Sequence, residues 1–171
     1  MAAWGQTGWA NQKDPELDAL FAELKADISE AEAARIERRI WEIWMDTGDQ
    51  HLDRVLEAGG TAMSSGDYLE AMAAFNMVIE TAPDFAEGWN KRATLHWLMG
   101  NYDASTQDID QTLKLEPRHF GALSGLSMIH MAQNRPADAL EALEKATHIH
   151  PHIPNAEIRL EQLKRHLGAP I

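Results

Sequence analysis

Apolar and small side chains recur along the middle of the chain with a period of 34 residues. Counted from Leu52, Ala86 and Phe120, the fourth, seventh, eighth and eleventh positions of each unit are mostly apolar or small. The twentieth, twenty-fourth and twenty-seventh positions repeat this pattern. At about 100° per residue, each of the two sets lies on one face of a helix. Each unit therefore predicts a pair of helices.

Turn and stop residues follow the same period. Between the two predicted helices of each unit stand Gly66, Gly100 and Asn134. After the second helix stand Pro83, Pro117 and Pro151. Proline has no N–H group and cannot continue a helix, so each unit is expected to end there. The sequence predicts an all-α fold whose three units are residues 52–85, 86–119 and 120–153.

The residues at the repeated positions resemble those of the tetratricopeptide repeat (TPR) family. The resemblance is carried by Gly59, Gly66, Tyr68, Ala71, Phe75, Pro83, Trp89, Ala93, Gly100, Tyr102, Pro117, Ala139, Ala146 and Pro151. It implies a right-handed superhelical stack of antiparallel helix pairs. It also implies a noncatalytic adaptor or assembly scaffold that binds a protein or peptide in its concave groove. Similar small bacterial TPR proteins often carry a secretory leader, which implies a periplasmic location, with the cytoplasm as the alternative.

The segments that flank the units are expected to close the ends of the stack, because stacked helix pairs leave an apolar face bare at each end. Residues 14–51 are predicted to form a degenerate helix pair that caps the N-terminal end. In this pair Lys25 and Glu37 stand where the units have small residues. Residues 154–171 are predicted to form one solvating helix and a tail.

The first thirteen residues are polar, contain glycine and carry Trp4 and Trp9. We expect residues 1–13 to be a tail that is either mobile or docks its tryptophans on the body or on a partner. The start of the chain lacks the basic and apolar stretches of a secretory signal peptide, so no intact leader is expected.

A second face of the first helix in each unit is predicted to line the concave groove. The candidate binding residues on or beside this face are Leu56, Met63, Glu87, Asn90, Lys91, Thr94, Trp97, Ser124, Met128 and Met131. Methionine and tryptophan stand here where solvated residues would be expected, and methionine adapts to varied ligands. Asn90 and Lys91 are predicted to hydrogen-bond the backbone or a carboxylate of a peptide. In the alternative, the tail or the cap fills this groove, or the methionines only pack.

Some members of the family hold the C-terminal carboxylate of heat-shock chaperones with basic and amide residues on this face. The first unit here has Leu56 and Gly60 at those positions, and the third has Gly121 and Gly125. Only Asn90 and its neighbour Lys91 suit such a clamp. The sequence therefore argues against that co-chaperone role.

The composition excludes several other classes of function. The chain has 171 residues with 27 acidic and 15 basic side chains, a net charge of −12, so we expect no nucleic-acid partner. Residues 1–57 and 58–117 carry this excess, whereas residues 118–171 are near neutral, so a cationic partner would be steered to the first two thirds. No apolar run is long enough for membrane insertion, and there is no cysteine.

No residue pattern in the sequence strongly indicates catalysis or metal binding. Asp108 and Asp110 lie two apart on one predicted helix, where side chains diverge, so we expect a solvated acidic face. His148, His150 and His152 match no established zinc spacing, so no metal site is predicted. Since no catalytic or phosphate-binding motif is present, neither enzymatic activity nor a cofactor is expected. The alternatives to a binding module are a permanent subunit of a larger complex and, less favoured, a metal-handling protein.

Overall fold

A computed structural model of the chain describes residues 11–168, which form nine α-helices and no strand. The helices are α1 (Glu16–Leu24), α2 (Glu30–Met45), α3 (Gln50–Ser65), α4 (Tyr68–Thr81), α5 (Ala86–Leu98), α6 (Tyr102–Leu115), α7 (Phe120–Ala132), α8 (Pro136–Ile149) and α9 (Ala156–His166). A short 3-10 turn over Asn11–Lys13 precedes them. Trp4 and Trp9 of the predicted tail lie outside the described residues.

The helices from α3 to α8 form three successive pairs. Within each pair the two helices pack side by side, and α4 packs against α5, α6 against α7, and α8 against α9. The left-handed backbone at the turns explains the repeated residues: φ is 83° at Gly66, 75° at Gly100 and 57° at Asn134. The predicted all-α stack of helix pairs is confirmed.

Small residues stand where the two helices of a pair approach most closely. A Cβ added to Gly59 would lie 2.7 Å from Cε1 of Phe75 and 2.9 Å from Cβ of Ala74. In the second pair the Ser105 hydroxyl donates a 2.7 Å hydrogen bond to the carbonyl oxygen of Ala93. A larger side chain at either crossing would therefore push the helices apart.

A partly buried ion pair joins the helices of the second unit. Both Arg92 Nε and Nη2 donate to the carboxylate of Asp108 at 2.8 Å, and Nη1 donates to Oδ1 of Asn76 on α4. Asp108 is buried, so its prediction as part of a solvated face was wrong. The bidentate geometry strengthens these charge-assisted hydrogen bonds and so compensates the partial burial of the Arg92 guanidinium.

The N-terminal pair, α1 and α2, takes a different place from the predicted cap. In the described part of the chain it does not stack on α3 and α4 as the units stack on one another. Instead Phe21 and Trp44 pack against Phe120 at the start of α7, and Ile149 and Ile153 near the end of α8 join the same cluster. The pair therefore lies against the start of α7 and the end of α8, both of which belong to the third unit.

The polarity of the first unit explains this placement. The exposed face of α3 carries the polar side chains Arg54, Glu57, Thr61 and Ser65. Such a face is solvated without an apolar cover. The bulky apolar residues of α1 and α2 are instead buried at the start of α7, where Phe120 provides an apolar partner.

None of the described helices has the length and apolar character needed to cross a bilayer.

Gly59→Ala is expected to lower the free energy of unfolding by about 1–3 kcal/mol, because the new methyl group must displace the buried ring of Phe75. The matched control is Gly60→Ala, one residue along the same helix, where an added Cβ meets nothing within 4 Å. That substitution should raise the free energy of unfolding by about 0.5–1 kcal/mol through helix propensity. Urea denaturation followed by circular dichroism measures both, and changes of equal sign and size would contradict the predicted crossing.

Candidate functional site

The N-terminal pair closes one half of the concave face. The Trp44 ring stacks on His119 with centroids 4.2 Å apart, and Trp41 contacts Phe120 edge-on at 5.6 Å. A Cβ added to Gly121 would lie only 2.7 Å from Cη2 of Trp41. The start of α7, at Phe120 and Gly121, therefore packs against α2.

A buried carboxylate lies behind this contact. Glu87 Oε2 accepts hydrogen bonds from His119 Nε2 at 2.9 Å and from Asn90 Nδ2 at 3.0 Å. Lys91 Nζ lies 3.3 Å from Glu87 Oε1. Since His119 Nδ1 accepts the backbone N–H of Ala122, the His119 proton that faces Glu87 is on Nε2.

Burial by itself raises the pKa of Glu87. The hydrogen bond and charge of His119, the charge of Lys91 and the hydrogen bond of Asn90 outweigh this effect, so the pKa of Glu87 lies below its ordinary value. The ionised carboxylate therefore holds His119, and with it the ring on which Trp44 stacks.

This network corrects part of the predicted site. Glu87 and Leu56 are each 1% exposed and cannot contact a partner in the folded chain. Asn90 donates one hydrogen bond to Glu87 and Lys91 Nζ pairs with its other oxygen, so each keeps further donors, and their role toward a peptide stays a prediction. Met63 is partly buried against the core of the first unit.

Further polar contacts fasten α1 and α2 to the units. Arg118 Nη1 donates to Asp18 at 2.6 Å, and His150 Nε2 lies 3.3 Å from Oε2 of Glu37. Glu37 stands where the units have a small residue. Its carboxylate pairs with His150, the residue that follows α8. Of the other histidines in that run, His152 Nε2 lies 3.1 Å from the carbonyl oxygen of Ala26 and His148 is exposed.

The other half of the concave face is open and apolar. Met128 and Met131 on α7 are 43% and 46% exposed. Beside them lies Trp97, which is partly buried against the core of the second and third units. Two adjoining pockets share Trp97 and Met128, one of about 230 Å³ that includes Thr94 and Ser124, and one of about 520 Å³ that extends to α9. We call this surface, centred on Trp97, Met128 and Met131, the open groove.

The larger pocket contains residues that the sequence reasoning placed on a solvating helix. Arg159, Leu163 and His166 of α9 line it together with Met131. Leu163 stands four residues after Arg159, so both lie on one side of α9. That spacing was visible in the sequence, but the rotation of α9 on α8 was not.

Known proteins resemble this chain in sequence and in fold. The sequence profile described as Tetratricopeptide repeat matches residues 90–152. A TPR repeat-containing protein of Rhizobium etli is 34% identical over 152 residues, covering 89% of this chain and 74% of that protein. The small glutamine-rich tetratricopeptide repeat-containing protein 2 of Saccharomyces cerevisiae is 31% identical over 91 residues, 53% of this chain and 26% of that protein.

A solved structure, the first TPR domain of Spaghetti bound to an HSP90 peptide, matches with a TM-score of 0.65 and 18% identity. The match covers 70% of this chain and 95% of that domain. The matched length is therefore greater than that of three units of 34 residues. At 18% identity the similarity concerns the fold.

Gly121→Ala is expected to displace Trp41 and to expose α1 and α2 to proteolysis, since the added Cβ overlaps the Trp41 ring. Gly125→Ala on the same helix is the control, because its nearest neighbour, Cδ1 of Ile109, lies 3.9 Å away. Limited trypsin digestion with mass spectrometry compares cleavage within residues 16–45. Equal protection of this segment in both variants would contradict the close contact.

Glu87→Gln is expected to lower the free energy of unfolding by about 1–3 kcal/mol near neutral pH. Because the folded-state pKa of Glu87 is depressed, its stabilisation is present above the ordinary glutamate pKa and is lost as the pH falls through the folded-state pKa. The difference from the wild type should therefore be constant from about pH 7 down to the ordinary glutamate pKa and narrow only below it, so that it is smaller at about pH 3 in urea denaturation.

Glu80→Gln, at an exposed position of α4, serves as the control and should change little at either pH. A loss of stability from Glu87→Gln that is as large at the lower pH would contradict a stabilising ionised carboxylate.

Proposed function

Because the chain belongs to the tetratricopeptide repeat family, we propose that it is a noncatalytic protein–protein interaction module that binds a peptide segment of its partner in the open groove. The observation that carries this proposal is the exposed apolar surface of Met128 and Met131 beside the partly buried Trp97, where two pockets adjoin. Large exposed apolar patches are typical of interaction surfaces.

The open groove also has the right form for a peptide. Its two pockets adjoin along α5 and α7 and continue to α9, so successive side chains of one segment have separate places to insert. Thr94 and Ser124 add hydroxyl groups beside the smaller pocket. A concave, mostly apolar surface with a few polar groups favours a short segment over a flat protein face.

The peptide-bound Spaghetti domain supports a peptide as the ligand class. The means of binding in this chain is proposed to differ from a carboxylate clamp. Asn90 and Lys91, which suit such a clamp, are partly engaged by Glu87, and Gly121, at one end of the smaller pocket, lies against Trp41. We therefore place the ligand at the C-terminal half of the groove.

Trp97→Ala and Met128→Ala are each expected to weaken the binding of groove ligands by about tenfold, because each removes a large apolar contact. Ligands are obtained by selecting a random dodecapeptide library displayed on phage against the wild-type chain. Affinities of the selected peptides are then measured by fluorescence anisotropy, with circular dichroism to confirm that each variant is folded.

Met77→Ala is the matched control, because Met77 on α4 is 47% exposed, close to Met128, and lies outside the groove. It should leave the affinity unchanged. Peptides that bind folded Trp97→Ala and Met128→Ala as tightly as the wild type would exclude the open groove. A loss of peptide affinity in Met77→Ala alone would instead favour an interface on the convex face, as expected for a permanent structural subunit.

A further inference from the structure

The charge of the open groove differs from that of the rest of the chain. The whole sequence has 27 acidic and 15 basic residues. Among the described residues that line the two pockets of the groove, none is Asp or Glu, whereas Arg159 and His166 line the larger pocket. Among the described residues, the lining of the open groove therefore carries no carboxylate, although the chain as a whole is acidic.

The guanidinium of Arg159 has no carboxylate partner among the described residues. The two other cationic side chains of α9 do have one: Lys164 Nζ lies 3.4 Å from Glu144, and Arg165 Nη2 lies 3.9 Å from Glu161. A guanidinium presents several N–H donors in a planar fork that matches a carboxylate. Arg159 is thus available to an external anion at the edge of the pocket.

Apolar and cationic groups are adjacent at this point. Leu163 packs against Leu143 on α8 and lines the pocket, which fixes the rotation of α9 and places Arg159 one turn earlier on the same side. Across the pocket stand Met128 and Met131. A ligand that satisfies both groups must carry a bulky apolar side chain and a carboxylate close together.

We infer that the open groove selects peptide segments in which an acidic residue lies beside a bulky apolar residue, with Arg159 binding the carboxylate. This inference rests on the proposed function of the groove as a peptide site. It makes α9 part of the binding surface in addition to its role in covering α8.

The charges disfavour other occupants. A cationic segment would find no carboxylate on the lining and would face Arg159 directly. A second copy of the chain would bring another net charge of −12 to a molecule of the same sign. An acidic segment on a partner is complementary to the groove itself, where the attraction acts at short range.

The test applies the same phage-displayed dodecapeptide selection to the wild type and to Arg159→Gln. The wild type should enrich peptides with Asp or Glu next to Leu, Met, Phe or Trp. Arg159→Gln should enrich the apolar residues without the acidic one. Replacing that Glu by Gln in a selected peptide should weaken wild-type binding by about threefold to tenfold, a difference that shrinks at high salt.

The control is Arg135→Gln, since Arg135 is exposed, pairs with Asp138 and lines neither pocket. It should keep the acidic preference of the wild type. An acidic preference that survives in Arg159→Gln, or wild-type peptides with apolar residues alone, would overturn this inference and leave the groove as a peptide site. Peptides whose binding does not depend on Trp97 would overturn the proposed function as well.

Two further measurements address the other occupants. Selected peptides should bind the full chain carrying Trp4→Ala and Trp9→Ala with the affinity of the wild type. A gain of about tenfold would identify the N-terminal segment as the occupant and overturn the inference. Sedimentation velocity should show the same species for the wild type and Met131→Glu. A wild-type dimer that is a monomer in Met131→Glu would instead identify a second copy of the chain as the occupant.

Discussion

The stacking of Trp44 on His119 is the contact on which the arrangement of the concave face depends. His119 is completely buried, caps α7 through Nδ1 and donates to Glu87 through Nε2, so its ring is held on two sides before Trp44 covers a third. An uncompensated carboxylate at the position of Glu87 would be costly in the core. The network therefore stabilises α5, α7 and α2 as one block.

This block divides the groove into two halves with different properties. In the half beside the block, Glu87 engages Asn90 and Lys91 and the glycine at 121 accommodates Trp41, while Asn90 and Gly121 also border the smaller pocket. In the open half, apolar side chains remain exposed and the cationic Arg159 stands at the edge. Members of a repeat family can thus differ in ligand through the segments that flank their repeats, because those segments decide which part of a common surface stays accessible.

The sequence-based predictions agree with the structure where the interactions lie within one unit, and they fail where the interactions join distant segments. The 34-residue period identified the helix pairs, because their apolar faces and turns depend on side chains within one unit. The same reasoning placed Trp97, Met128 and Met131 on the groove, where they remain a proposal. It was wrong about the accessibility of Glu87, whose partner His119 is 32 residues away and on another helix.

The sequence by itself determined the class of fold, the pairing of its helices and the face of each helix that is buried, since a periodic pattern reports which side of a helix avoids water. Only the tertiary structure decided what covers each face. The N-terminal pair packs on Phe120, whereas the exposed face of α3 carries Arg54, Glu57, Thr61 and Ser65, and the rotation of α9 on Leu143 brings Arg159 to the groove. Such choices depend on complementarity between distant segments, which a local pattern does not encode.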